Sequence, residues 1–301
     1  MTRLMKILVT GGSGFVGRNL IPRLWDSHEI INLDIAGMDD PLFNSKVTTV
    51  LADMTDFSSL QKALGEHMKG VDVVVHLAAL SREAQSNTMP DDYFKVNVGG
   101  TYNLLRLAKA NNIKKFVFAS SFLIYGNHAT DRITEQHTPQ PSTVYAATKV
   151  AGEALVRSFG TQYGFDYVIL RKGNIYGHKD THKRIIDIMI DRAKKGEDVV
   201  LFGDKTLDFV HIDDAVKAYL AAIGLQGSGT FNVGSGKGMR LEDMANMIIG
   251  GLKSTSAIRK AGPVTGDSMH FVADLATTGN HLAYRPTGDV RNFILEKISD
   301  A

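Results

Sequence analysis

A chain of 301 residues, 44% hydrophobic and 22% charged, is long enough to bury a sizeable core as one large domain or two small ones. Its net charge of +2, with no long block of Lys or Arg, argues against a nucleic-acid partner. The absence of cysteine excludes a disulfide framework, a thiol nucleophile and a Cys-ligated metal, and points to cytoplasmic chemistry.

In chain order, the first informative stretch is KILVTGGSGFVG, residues 6–17. The apolar run before Gly11 is too short for a signal peptide or a membrane anchor. It reads instead as a strand that stops at a glycine cluster, with an amphipathic helical stretch over 15–25. Gly11 lets the chain turn, Gly14 lets backbone N–H groups approach a pyrophosphate, and Gly17 lets the helix lie close on the sheet. The next strand, HEIINLD, ends in Asp34, about where a carboxylate meets an adenosine ribose. Together these residues predict a nicotinamide dinucleotide site.

Strand-like runs recur at 6–9, 30–33, 47–51, 71–77, 115–119, 167–170 and 230–233, with helical segments between them. That alternation predicts an α/β fold, a doubly wound and mostly parallel Rossmann-type sheet with a smaller C-terminal substrate-binding region. Two amphipathic helices are expected over 183–195 and 241–252, and periodicity weakens from Gly262. Residues 1–174 and 205–234 are assigned to the dinucleotide-binding domain, 175–204 and 235–301 to the substrate-binding region. Segments 203–207 and 234–238 are expected to border the substrate cleft.

The chemistry-bearing residues follow strands. Tyr145-Ala-Ala-Thr-Lys149 opens a helix, and a separation of four puts both side chains on one face. A phenol titrates near 10, so an adjacent ammonium and an oxidised nicotinamide ring are expected to lower it toward use as a base. Ser120 and Ser121 end the strand before it, where a hydroxyl can hold a substrate oxygen or share a proton with Tyr145. For Ser120 the alternative of satisfying turn backbone stays open. Asn97 lies in a helix opening, placed to position a helix or a water behind the lysine. His76, His137 and His211 fall in separate segments and predict no metal site.

In this order, Gly11/Gly14/Gly17, Asp34, His76-Leu77-Ala78-Ala79, Asn97, Ser120-Ser121, Tyr125-Gly126, Tyr145-x-x-x-Lys149 and Leu170-Arg171-Lys172-Gly173-Asn174-Ile175-Tyr176-Gly177 resemble the extended short-chain dehydrogenase/reductases, in their sugar-nucleotide epimerase/dehydratase branch. The resemblance runs from residue 6 to about 235. It implies Tyr145 as general base, Lys149 as its electrostatic partner and ribose ligand, and Ser121 as the hydroxyl polarising the reacting C–O group. It further implies NAD contacts from Gly11, Gly14, Phe15, Val16, Gly17, Asp34, Asp53, Met54, Leu77, Ala78, Ala79, Asn97, Ser120, Tyr145 and Lys149. Substrate contacts are implied for Ser81, Ser121, Phe122 and Asn174, and a homodimer through the helix over 97–110 and the Tyr145 helix. Asp34 is followed by Ile35 and Ala36 with no arginine, which favours NAD over NADP; Arg18 is the cation nearest in sequence.

Three departures bear on the substrate. Leu207 stands where the family places a diphosphate-gripping arginine, and Val264 or Thr265 where it places a second, with Lys205, Arg259 and Lys260 as the nearby cations. Residues 122–124 carry no carboxylate, unlike the dehydratases. The expected activity is NAD-dependent epimerisation of a sugar, as its nucleotide diphosphate. The alternatives are a dehydrogenase of a non-nucleotide sugar, sugar acid or other small alcohol, and a non-catalytic NAD-binding sensor.

Overall fold

The structure, a computed structural model, describes residues 4–128, 130, 132–178, 180, 182–262 and 270–299. Its strands are β1 (Lys6–Thr10), β2 (Glu29–Asp34), β3 (Thr48–Leu51), β4 (Val73–His76), β5 (Lys115–Ser121), β6 (Asp166–Lys172) and β7 (Asn174–Tyr176). They continue as β8 (Val199–Phe202), β9 (Thr206–His211), β10 (Gly229–Val233), β11 (Gly238–Arg240), β12 (Ile258–Ala261) and β13 (His270–Phe271). Seven of them form one sheet in the order β10-β6-β5-β4-β1-β2-β3, with every neighbouring pair parallel. These are the seven runs read as strands from the sequence.

Burial on both faces explains why the central strands are almost wholly apolar. Ile7, Val9, Val75, Val117 and Ala119 face one cluster, with Phe15 and the helix Ile212–Gly224. Leu8, Val74, Phe116 and Phe118 face the other, with Leu104 and Val156 from the helices Thr101–Ala110 and Val144–Tyr163. Consecutive residues of one strand thus feed opposite layers, the period of two at work. The chain leaves β1 toward β2 on one side and reaches β4 on the other. That reversal opens a crevice at the carboxyl ends of the strands.

Local chemistry adjusts several expected boundaries. The amphipathic stretch after Gly14 is an α-helix only over Phe15–Leu20 and continues as a 3₁₀ turn, Ile21–Arg23, because Pro22 has no N–H to give the α ladder. The helix opening around Asn97 is a π-helical segment, Phe94–Gly100, running into Thr101–Ala110. The two later amphipathic helices are Ile185–Lys194 and Leu241–Gly251.

The smaller region has a four-stranded sheet, β11-β9-β13 with β7 on β9, and a separate β12-β8 pair. Within residues 205–234, β9 therefore stands in this small sheet, whereas the helix Ile212–Gly224 and β10 return to the large one. Asp208, in β9, holds the junction. Its buried carboxylate accepts from Ser235 N (2.6 Å), Ser235 Oγ (2.7 Å), Gly236 N (2.9 Å) and Ala273 N (3.1 Å). Ile186, Met189, Met244, Ile248 and Phe293 supply the region's own core.

Candidate active site

The crevice is a cleft of about 630 Å³. At one end lies the glycine turn. Gly11 has φ +71°, and a Cβ there would fall 2.8 Å from Ala78 N; a Cβ on Gly17 would fall 2.4 Å from Gly12 Cα. Backbone against backbone cannot yield, so both positions require glycine. Gly14 is the N-cap and brings no capping side chain, which leaves the first-turn N–H groups directed at the cleft. Asp34 closes this end. Its Oδ2 accepts from Ser13 N (3.0 Å) and its Oδ1 from Ile35 N (2.8 Å), while the residue still lines the cleft. Arg18 Nε donates to Ser13 O (2.6 Å) beside it, and Asp53 Oδ1 accepts from Thr55 N (2.8 Å).

At the other end, Thr143 caps the helix Val144–Tyr163, its Oγ1 accepting from Ala146 N (3.2 Å), and this sets Tyr145 over the end of β5. Tyr145 and Ser121 both line the cleft, and the Ser121 hydroxyl acts on the Tyr145 phenol. Lys149, one turn along, donates from Nζ to Ala119 O (2.9 Å), with Nζ 5.8 Å from the Tyr145 ring centre. Burial raises the Tyr145 phenol to about 12; the Ser121 hydroxyl opposes the rise and Glu83 adds to it. Burial, then Lys172, lowers the Lys149 ammonium to about 7. The expected lowering of Tyr145 by Lys149 is therefore absent in the chain alone: desolvation dominates, and the ammonium is turned to a carbonyl.

Gly11, Gly14, Phe15, Val16, Gly17, Asp34, Asp53, Met54, Leu77, Ala78, Ala79, Ser81, Ser121, Tyr145 and Asn174 are all brought to the cleft wall. Ser120, Asn97, Lys149 and Phe122 lie behind it. Ser120 is fully buried and donates to Glu153 Oε1 (2.6 Å), which Arg171 also grips from Nε (3.0 Å). Asn97 Oδ1 accepts from Leu80 N (2.8 Å), and its Nδ2 donates to Leu80 O (3.0 Å) and Thr148 Oγ1 (3.1 Å). It thereby ties the cleft loop to the lysine helix. Phe122 packs with Tyr125 and Phe271. His76 joins Thr10 Oγ1 (2.7 Å) and Thr101 Oγ1 (2.9 Å) beneath the cleft, and burial holds its imidazole down at about 3.

Lys172, His182 and Arg184 also line the cleft without having been assigned to it from the sequence. Lys172 was readable, since it lies inside the quoted motif and pairs in register with Ser121. His182 and Arg184 arrive from a loop beyond β7, which no local pattern locates. Leu207 packs into two apolar clusters. Arg259 pairs with Asp198, Lys260 with Glu242 (2.8 Å), and neither these nor Lys205 reach the cleft. Val264 and Thr265 lie outside the described residues.

A turn with no room for a Cβ, leading into a helix start and flanked by a carboxylate, fits a dinucleotide. Residues 7–234 match the NAD dependent epimerase/dehydratase family. The chain is 33% identical over 250 residues to a putative UDP-glucose 4-epimerase of Methanocaldococcus jannaschii, covering 80% of this chain and 81% of that protein. It is 31% identical to a UDP-glucose 4-epimerase of Mycolicibacterium smegmatis, covering 94% of each. Its fold superposes on the UDP-glucose 4-epimerase of Thermus thermophilus, solved in complex with NAD, with a TM-score of 0.87, 28% identity and 98% of each chain covered. Matched over most of its length in sequence and over nearly all of it in fold, the chain belongs to the NAD-dependent epimerase/dehydratase family.

Proposed function

We propose that the protein is an NAD-dependent epimerase of a nucleotide-linked sugar, with Ser121, Tyr145 and Lys149 handling the proton. The observation behind this reading is the convergence of Ser121 and Tyr145 on the cleft wall, with Lys149 one helical turn along, beside a segment 122–124 that is apolar where elimination of water needs a carboxylate. The relatives named as UDP-glucose 4-epimerases support the same class. The glycine turn and Asp34 would hold NAD, which supplies a reversible hydride acceptor when bound. Ser121 holds the oxygen of the reacting carbon. Tyr145 takes the hydroxyl proton as that oxygen becomes a carbonyl, and returns it once the sugar presents its other face. With the phenol at about 12 in the chain alone, abstraction near neutral pH needs positive charge beside it. Lys149 is the side chain one helical turn away.

The second reading, a dehydrogenase of a non-nucleotide sugar, sugar acid or other small alcohol, is favoured by Leu207, a half-buried apolar residue where a phosphate cation is expected. Calorimetric titration of NAD-loaded protein with UDP, GDP, CDP and dTDP separates the two. Tight binding of one supports the epimerase and names its nucleotide; binding of none favours the dehydrogenase.

A cytoplasmic homodimer completes this reading. Among the described residues no helix is long and apolar enough to cross a membrane. Tyr102 and Tyr163 are exposed along the two helices expected to pair, and light scattering that returns a monomer mass would refute the dimer.

A further inference from the structure

Among the described residues, Lys172 of the cleft has no counter-charge. Lys172 ends β6, and its register partner on β5 is Ser121. Register partners on adjacent parallel strands point to the same face, about 5 Å apart, so Lys172 stands beside the Ser121 hydroxyl. Both side chains line the cleft. Among the described residues the Lys172 ammonium has neither a hydrogen-bond nor an ion-pair partner.

The charges around it make matters worse. Arg184 acts on Lys172, and Lys172 acts on Lys149. Of these three cations, Arg184 is ion-paired with Asp180, and Lys149 feels Glu153, a carboxylate already bonded to Arg171 and Arg157. Glu83 acts on Tyr145. Burial together with Arg184 pushes Lys172 down to about 8. An unpaired ammonium in a partly dry cleft is a standing cost, and an anion arriving with the ligand removes it.

We propose that Lys172 binds a carboxylate carried on the sugar next to the reacting carbon, making the protein selective for a uronate over the matching neutral sugar. The choice of carbon rests on the epimerase reading above. Ser121 and Tyr145 hold the oxygen of the reacting carbon, so an ammonium one strand spacing away meets the substituent of its neighbour. In a pyranose inverted at C4, the neighbours are C3, which bears a hydroxyl, and C5, whose C6 group is the carboxylate of a uronate. The diphosphate hangs from the anomeric carbon across the ring. A neutral sugar would place a hydroxymethyl group there and leave the ammonium unpaired, the kind of mismatch a polar site rejects strongly.

The test is calorimetric titration of NAD-loaded protein with matched pairs: UDP-glucuronate against UDP-glucose, the same pair on dTDP, and free glucuronate against glucose. Wild type is expected to bind the carboxylate member of a pair about 10- to 100-fold more tightly. Lys172→Met should bring that ratio to about one, and Lys172→Arg should restore most of it. Thermal melts establish that each variant is folded; Lys172→Gln, which also removes the charge, carries the comparison should Lys172→Met not fold. Equal affinity within every pair, no binding of any pair, or a ratio unmoved by Lys172→Met overturns the proposal. Loss of NAD affinity in Lys172→Met, titrated before any sugar, assigns the lysine to the cofactor and overturns it too. A carboxylate preference confined to the free pair supports the lysine's role while refuting the nucleotide-linked substrate.

Discussion

The adjacent serines at the end of β5 should respond to the same substitution in opposite ways. Ser120 is fully buried and donates to Glu153 at 2.6 Å, whereas Ser121 lines the cleft together with Tyr145. Ser120→Ala removes one charge-assisted hydrogen bond from a carboxylate that keeps Arg171 and Arg157, a cost of about 1.5–3 kcal/mol. At about 2–4 °C per kcal/mol for a chain of this size, the melting temperature should fall by about 3–12 °C. Turnover should stay close to wild type. Ser121→Ala loses a turn cap, the 3.3 Å bond from Leu123 N, for about 1 kcal/mol of stability. It also loses the hydroxyl held against the reacting oxygen, about 100- to 1,000-fold in kcat. Thermal melts and steady-state kinetics on both variants decide the matter. If Ser120→Ala abolished turnover at unchanged melting temperature, the division of labour drawn here would be wrong.

Tyr145→Phe should fold and bind NAD but lose about 100- to 10,000-fold in turnover; indifference to this change would mark a non-catalytic NAD binder. Gly17→Ala puts a methyl 2.4 Å from the Gly12 backbone, so a loss of about 1–3 kcal/mol together with weaker NAD binding is expected, and an unchanged melt with unchanged affinity contradicts the close approach. His76 should not titrate by proton NMR between pH 7.5 and pH 4.5, because burial holds its imidazole at about 3. The unfolded histidine binds a proton below about 6.5, so this group makes stability fall as pH drops from there toward about 3. An imidazole resonance from His76 that titrates near 6.5 would contradict its burial.

What the sequence revealed was whatever depends on neighbours in the chain. The glycine turn, the carboxylate ending β2 and the Tyr145-to-Lys149 spacing are local patterns, and all three stand where the reading put them. Ser121 was separated from Ser120 only by the family resemblance, because alternation along β5 sends them to opposite faces and local pattern does not show which face is the cleft. Asn97 was readable as a positioning residue, but its partners Leu80 and Thr148 are a product of packing. Strand pairing is equally non-local: β9 looks like its neighbours in sequence yet pairs with β7, β11 and β13. The upward shift of Tyr145 is the clearest case, since spacing gave the partner and burial decided the sign.

The most direct test of the central claim follows the sugar and the cofactor together. NAD-loaded protein is incubated with the nucleotide sugar selected by calorimetry, with configuration followed by proton NMR and free NADH by its near-ultraviolet absorbance. Inversion of one stereocentre over many turnovers with no NADH accumulating is the predicted result. One NADH released for each sugar consumed, with a ketone or acid as product, would contradict the epimerase and identify a dehydrogenase.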